Sequence, residues 1–494
     1  MKICVLEHPR IKSKKHFNDI ANTPLWSCLM GGYVVSSLKT SGLDVFYYDA
    51  ATTRHSFQMA KDKIVALKPD ILMVNAVYFW ENTEALFDFI TDLKRAGLDV
   101  HINLFGFFPT LAYKSILANK KDVDSIAVGE CEYTLRVFAK AFSKNEAIGE
   151  IPGLAVRSAK QIATLVPRKP EKNPDSFPFP ERMINPAMTA SILGSRGCYN
   201  HCSFCPVPPF YNQGPLWRGR SPENIFAEMA MLKNKGINDF YFVDPNFIGP
   251  GKKGKERTKK LLKLIEPLNI TFGMETRPED IDDEIMDRLV ASGFTSLLLG
   301  VESGSSGVLG NLDKKTSTPI SANAINICRK FKIEPEIGFL MFVPDSKLAD
   351  IRQNMKFLEE NKLLDRLERT CNLLSHKQIV LMGTSGYEMF KKQARITQTG
   401  VFGFQGDIIY EDPGVKWLSD IIITICLHVL ERMEIDTSPI YWNATDLHKA
   451  QQINDFLVKT MNNLIVEAEN LSCYLDTEAV SGKICNEINK LVNC

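Results

Sequence analysis

From Met1 to about Arg157, short apolar runs alternate with amphipathic stretches. KICVLE precedes a helical segment through Met30 to Leu38, LDVFYYDA precedes another helix, and DILMVNAVYF precedes a helix from Thr83 to Ala96. VHINLFGFF follows, then DSIAVG ahead of the helical TLRVFAKAF. Strands separated in this way by helices predict an α/β fold with a parallel, doubly wound (Rossmann-like) sheet and ligands at the carboxyl ends of its strands.

The next stretch, VPRKPEKNPDSFPFPERMINP from Val166 to Pro186, contains six prolines. That density excludes a helix or central strand and predicts a linker draped over a surface. The alternation then resumes with ASILGS, a helix from Pro222 to Lys235, DFYFVDP, a helix from Lys255 to Ile265, and ITFGMET. It continues with a helix from Asp283 to Ala291, SLLLGVES, a helix near Ile320 to Lys330, and IEPEIGFLMFVP. Repeated units of this kind predict a partial (β/α)6 barrel whose reactive residues follow its strands. Beyond Leu363 the pattern weakens to strand-like QIVLMG and helical spacing over Lys416 to Met433 and Lys449 to Glu469, a mostly helical cap. The expected divisions are 1–157, a linker over 158–187, a barrel over 188–392 and a C-terminal domain over 393–494.

A chain of 494 residues exceeds a single core and fits two or three domains. With 59 basic and 58 acidic side chains, no global field draws nucleic acid or an anionic membrane. The lysine-rich KKGKERTKK, Lys252 to Lys260, has no interleaved aromatics and reads as the solvated start of a helix. MKICVLEHPR lacks the continuous apolar stretch of an export signal, and a cytoplasmic monomer is expected. The longest apolar run, Ile421 to Leu430, is about half of what a bilayer crossing requires and contains His428, so it reads as a buried helix. His8, His16 and His55 are not at ligand spacing and are read as surface residues.

Among twelve cysteines only one cluster exists. Cys4, Cys28, Cys131, Cys328, Cys371, Cys426, Cys473, Cys485 and Cys494 are scattered and read as small buried hydrophobes. ILGSRGCYNHCSFCPVP instead places Cys198, Cys202 and Cys205 at CxxxCxxC directly after a strand. A structural zinc site closes its tetrahedron with a fourth Cys or His, and His201 lies inside the triplet, where reaching the same ion is difficult. Three thiolates on a four-iron cluster leave one iron open, which is a catalytic feature.

These residues resemble the radical SAM family, whose hallmark is CxxxCxxC with an aromatic before the last cysteine, here Phe204. DFYFVDPNF, FGMETRPEDIDDEIMDRL and LLLGVESGSSGVLGNLDKKTS look like the family's successive strand-end motifs, and LMGTSGYEMFKK like its closing segment. The resemblance implies a [4Fe-4S] cluster whose open iron chelates S-adenosylmethionine (SAM) and cleaves it to a 5'-deoxyadenosyl radical. It also implies Glu275 on the SAM ribose hydroxyls, Glu302 on the methionine ammonium and Lys314 on its carboxylate, with Phe204, Arg277 and Asp244 as further SAM-binding candidates. Carboxylates accept from hydroxyl and ammonium groups and a cation pairs with carboxylate, although helix caps and surface ion pairs use the same residue types.

KPDILMVNAVYFWENT, NLFGFFPTLAY and DSIAVGECEYTLRVFAKAF resemble, in order, the cobalamin-binding domain found ahead of many radical SAM enzymes. By that resemblance the loops with Val77, Tyr78, Phe79, Phe107, Pro109, Thr110 and Glu130 face the corrin. Gly106 and Gly129, straight after strands, let backbone approach a flat ligand. The DxHxxG of the best-known cobalamin carriers is missing, which leaves the lower cobalt face unassigned. A flavodoxin-like scaffold without a cofactor is the alternative.

Together the resemblances imply a class B-like radical SAM methyltransferase. It would methylate an unactivated carbon, or phosphorus, of a small molecule or natural-product intermediate, through methylcobalamin and a radical. A cobalamin-assisted rearrangement, cyclisation or ring contraction is the alternative within the class, and a structural cluster in a scaffold or sensor the alternative outside it. Flavodoxin or ferredoxin is the implied electron donor. Tyr387, Phe402, Phe404, Tyr410, Tyr441 and Trp442 line a substrate pocket or, as the favoured reading, form the cap's own core. No catalytic side chain and no substrate is identified by the residues.

Overall fold

A computed structural model describes residues 1–10, 27–157, 165–211, 216–433, 447–470 and 476–493. The expectations for His16, Tyr441, Trp442, Cys473 and Cys494 lie outside these residues, as does that for the Cys28 side chain.

The first sheet is made of β1 (Ile3–Glu7), β2 (Val45–Asp49), β3 (Ile71–Asn75), β4 (His101–Phe105), β5 (Ser125–Ala127) and β6 (Leu154–Val156). Its helices are α1 (Ser27–Lys39), α2 (Phe57–Leu67), α3 (Glu84–Arg95), α4 (Phe107–Asn119) and α5 (Glu132–Ser143). The strand order is β2-β1-β3-β4-β5-β6, and only the last pair is antiparallel. Every residue of β1 and β3 is buried, as a sheet covered on both faces requires. The period of two still sorts them. Cys4, Leu6, Leu72 and Val74 pack with α2, α3 and α4, whereas Ile3, Val5, Ile71 and Met73 pack with α1 and α5. The chain leaves β1 first toward β2 and then returns toward β3, so the sheet's switch point lies between the ends of β1 and β3.

The second half begins with β7 (Ala190–Ile192), the hairpin β8 (Ser195–Gly197) and β9 (Trp217–Gly219), and, between its strands, the short α6 (Val207–Phe210). Then come α7 (Pro222–Lys233), β10 (Asp239–Phe242), α8 (Gly251–Ile265), β11 (Thr271–Thr276), α9 (Asp283–Ala291), β12 (Phe294–Glu302), α10 (Ser306–Asn311), α11 (Thr318–Lys330) and β13 (Glu336–Phe339). Five of these strands form a parallel sheet ordered β13-β12-β11-β10-β7. Phe240, Phe242, Phe272, Met274, Leu297 and Leu299 join the helix-covered core. The alternate residues Tyr241, Gly273, Glu275, Leu298 and Gly300 therefore face the lumen. Where a sixth unit is expected, an isolated parallel bridge between Phe342 and Lys377 is the only strand pairing among the described residues.

The remainder comprises α12 (Leu348–Glu360), α13 (Leu367–Ser375), β14 (Val380–Leu381), α14 (Ser385–Lys392), β15 (Ile396–Thr399), β16 (Gln405–Ile408), α15 (Pro413–Met433), α16 (Leu447–Asn470) and α17 (Thr477–Asn493). The expected helical cap thus also contains a small antiparallel sheet, β14-β16-β15. Helix α15 has the length and apolarity of a membrane span. Its Leu418, Ile421, Ile422 and Ile425 are instead buried in one core with residues of α13, α16 and α17. On that basis Leu418→Ala should destabilise the protein by about 2–5 kcal/mol, read as a lower denaturation midpoint of the C-terminal transition.

Candidate active site

The three clustered cysteines occupy the loop that leaves β8. Cys202 is buried, while Cys198 and Cys205 are partly exposed. Loss of hydration pushes the Cys198 and Cys205 thiols up, and both feel the charge of Cys202, so the three sulfurs lie within electrostatic range of one another. Among the described residues no three His, Cys, Asp or Glu side chains gather tightly enough for a single metal ion. His201, the histidine inside the triplet, is exposed. The loop is clipped to α10, with Ser203 N donating to Leu312 O at 2.9 Å, and to α14, with Gly386 N donating to Ser203 O at 2.8 Å. Phe204 packs among Val308, Leu312, Leu340 and Val343 and wedges the loop in place.

Strand ends of the second sheet surround this loop. Glu275 is flanked by Asp244, and its carboxylate has no hydrogen-bond or ion-pair partner among the described residues. Burial first, and the charge of Asp244 second, push it up to about 7. Asp244 was expected at SAM, but its oxygens are already engaged. Oδ2 accepts from Gly194 N at 2.8 Å and Oδ1 from Ser195 Oγ at 2.5 Å, which ties β10 to the start of the hairpin. Burial raises this group to about 6. Glu302 and Lys314 come together, Oε1 to Nζ at 2.7 Å. Burial draws Lys314 down, but the charge of Glu302 and then that of Cys202 outweigh it, and the ammonium ends raised. Glu302 has φ 69°, a left-handed conformation that a non-glycine residue adopts only when its surroundings enforce it. Arg277 is turned toward Cys202, Glu279 and the Lys314 carbonyl.

At the switch point of the first sheet, Val77, Tyr78 and Phe107 line an apolar cleft of about 630 Å³, open solvent included. Its far wall is Pro206, the residue after Cys205, together with Leu381 and Phe404. Phe404 meets the Tyr78 ring at 4.7 Å. Phe402 packs on Phe87, Tyr387 fills the core of the small sheet, and Tyr410 is partly buried against the main core. Phe404 alone of the described aromatic candidates in the cap reaches the cleft.

Other residues assigned to the corrin do something else. Phe79 turns its edge to His8. Pro109 and Thr110 are buried in α4, where Thr110 Oγ1 accepts from Gly129 N at 2.9 Å. A Cβ on Gly106 would come within 2.7 Å of Asn75 Oδ1, and one on Gly129 within 3.2 Å of Phe210 O. Both glycines lie close against neighbouring protein. Glu130 accepts from Arg218 at 2.9 Å and pairs with Arg196 at 3.0 Å, and Glu132 completes the cluster with Arg196 at 2.6 Å. All four side chains are at most 6% exposed. The expectation of Glu130 at the corrin is therefore replaced by a buried ion cluster joining the two halves. The linker takes part, since Phe177 lies 4.0 Å under the Arg196 guanidinium.

His8, read as a surface residue, is buried: its Nδ1–H donates to Pro9 O at 2.6 Å and its Nε2 accepts from Val77 N at 3.2 Å. Desolvation, aided by Arg10, drives it down to about 3 and keeps the ring neutral. Beside it Glu7 accepts twice from Asn75 Nδ2 at 3.0 Å, and burial raises it to about 8. These residues end β1 and β3 at the switch point, and the rule that reactive side chains follow strands finds them once applied to the first sheet. His55 bonds Tyr48 OH through Nδ1 at 2.7 Å.

Residues 192–358 match the family model described as the radical SAM superfamily. That central stretch is therefore similar to the radical SAM superfamily. It is 23% identical over 373 residues to an uncharacterized methyltransferase of Pyrococcus horikoshii, spanning 73% of this chain and 78% of that protein. It is 24% identical over 364 residues to the anaerobic magnesium-protoporphyrin IX monomethyl ester cyclase of Rubrivivax gelatinosus, spanning 68% and 62%. Among solved structures it resembles the cobalamin-dependent SAM radical enzyme OxsB, solved with aqua-cobalamin and SAM bound. The TM-score is 0.74 at 17% identity, covering 99% of this chain and 75% of that one. This chain therefore has the fold of that cobalamin-dependent protein along almost its whole length.

Two outcomes test the geometry. Arg196→Met leaves Glu130 and Glu132 buried without that cation and should cost about 3–5 kcal/mol, seen as earlier proteolysis at the linker. Glu275 has a folded value above its ordinary 4.5, so it destabilises the empty protein as pH rises from about 4.5 through 7. Glu275→Gln should remove that part of the decline, leaving the variant more stable than the native apoprotein at pH 8 in a denaturation series.

Proposed function

We propose that this protein is a cobalamin-dependent radical SAM methyltransferase, acting on an unactivated carbon or phosphorus centre of a small molecule. The observation that carries the reading is the cleft at the switch point, whose far wall includes Pro206, next in sequence to Cys205. A corrin held against Val77, Tyr78 and Phe107 then adjoins the cluster loop. Cys198, Cys202 and Cys205 would hold a [4Fe-4S] cluster, a choice supported by the electrostatic coupling of the three thiols on one loop. Bound there, the cluster and SAM supply a carbon-centred radical by one-electron reduction, and cobalamin supplies a transferable methyl group.

This chain's own side chains bind and orient. Glu275 accepts hydrogen bonds from the SAM ribose hydroxyls, and its missing partner supports that role. Glu302 takes the methionine ammonium and Lys314 the carboxylate, each exchanging its present partner for a group of the same charge. Val77, Tyr78, Phe107 and Phe404 keep water from the space between the two cofactors. We divide the chain for this work into a corrin-binding part over 1–157, a linker over 158–187, the radical SAM barrel over 188–392 and a cap over 393–494. A flavodoxin or ferredoxin would deliver the electron, in a reducing cytoplasm that suits the free thiols among the described cysteines.

The identity to a cyclase favours a second reading, radical cyclisation or rearrangement without methyl transfer. Anaerobic loading with iron, sulfide and cobalamin, followed by turnover with methyl-labelled SAM and candidate substrates, separates the two. Label in the product and 5'-deoxyadenosine, both lost in Cys202→Ala, are expected. 5'-deoxyadenosine with unlabelled product replaces methyl transfer by the second reading, and a loaded cluster that never yields 5'-deoxyadenosine overturns both.

A further inference from the structure

We propose that Arg277 and Asn200 set the reduction potential of the cluster by holding hydrogen-bond donors against the sulfur of Cys202. The inference rests on the reading that the three thiols bind a [4Fe-4S] cluster, and it concerns residues that this reading leaves without a role.

Arg277 follows β11 directly and is 4% exposed. Each arm of its guanidinium is occupied. NH1 lies 3.8 Å from Cys202 Sγ, NH2 donates to the Lys314 carbonyl, and Nε donates to Glu279 Oε1. The same group lies 5.6 Å over the ring of Tyr199. Three of its five N–H donors are thereby engaged. Asn200 approaches the sulfur from within the loop, with Nδ2 3.2 Å from Cys202 Sγ and 2.8 Å from the Lys314 carbonyl. Both residues are therefore fixed twice, once at the sulfur and once at the same backbone oxygen.

The other two sulfurs are treated differently. Cys198 receives the backbone N–H of Asn200, and Cys205 that of Val207. Among the described residues, side-chain donors reach the sulfur of Cys202 alone. Cys202 is thus the ligand whose surroundings are set by side-chain identity rather than by the course of the loop.

One-electron reduction adds a negative charge to the cluster and its thiolates, and no bond forms or breaks. Donors aimed at a sulfur, and a full positive charge beside it, stabilise the reduced state more than the oxidised one and raise the potential. Burial strengthens the effect, because little water competes at Cys202. Arg277 keeps its charge across the working pH range, so its contribution does not titrate. Glu279, paired on the Nε side away from the sulfur, reduces the effect without cancelling it. The electron comes from an external low-potential donor of the flavodoxin or ferredoxin class.

The test uses the full chain, reconstituted anaerobically and titrated with low-potential mediators while the signal of the reduced cluster is followed by electron paramagnetic resonance. Arg277→Gln and Asn200→Ala should keep about four irons per chain yet become harder to reduce. At the potential where the native cluster is half reduced, the reduced-to-oxidised ratio in Arg277→Gln should fall about tenfold, which is ~59 mV for one electron. Asn200→Ala should shift the same way by less, and Arg277→Lys should recover part of the loss. Variants with full iron content and the native midpoint would overturn the inference. Should Arg277→Gln fail to fold, Asn200→Ala decides alone, since it leaves the arginine in place. A native chain that takes up no four-iron cluster instead sinks the parent reading, an outcome visible before any variant is made.

Discussion

Arg196 and Arg218 stand opposite one another on the two strands of the hairpin that carries the cysteine loop. Their guanidinium groups leave the barrel and enter the turn between β5 and α5, where Glu130 and Glu132 receive them. Four buried charges cost desolvation energy that mutual attraction only just offsets, so such a cluster contributes little net stability. It does specify geometry, because only one docking of the halves pairs every charge. The close approach of Gly129 to the Phe210 carbonyl and the stacking of Phe107 on Phe210 at 4.0 Å belong to the same docking. The cleft exists because these contacts hold Pro206 opposite Val77 and Tyr78.

Much of the architecture was legible because it rests on local rules. Helix α9 runs over Asp283–Ala291 as its spacing predicts, with Asp282 capping it by accepting from Ile285 N. The parallel strands announced themselves as short runs between helical segments, and their ends held the cysteine loop, Glu275 and Glu302. Of the small sheet of the cap only β14 did, inside the strand-like QIVLMG, whereas β15 and β16 read ITQT and QGDI, too polar and too short to alternate recognisably. The ion cluster was invisible for another reason. Its partners are far apart in sequence, and no local pattern distinguishes an arginine in SRG or WRG from any other.

The acidic residues of the barrel illustrate how environment divides identical side chains. Asp244 is satisfied by Gly194 and Ser195 and acts as a tie between strands. Glu302 is held by Lys314 in a strained backbone conformation. Glu275, less buried than either, has no donor among the described residues. Sequence alone gives three carboxylates at three strand ends, and only their neighbours show that one is structural, one paired and one without a donor among the described residues.

The cleft at the switch point is assembled from both ends of the chain. Val77, Tyr78 and Phe107 belong to the first sheet, whereas Leu381 and Phe404 arrive with β14 and the turn before β16. In a polypeptide made from its amino terminus, the first sheet is therefore complete while this wall has yet to leave the ribosome. Only when that wall arrives do the Tyr78 and Phe404 rings, 4.7 Å apart, join the two sides of the cleft.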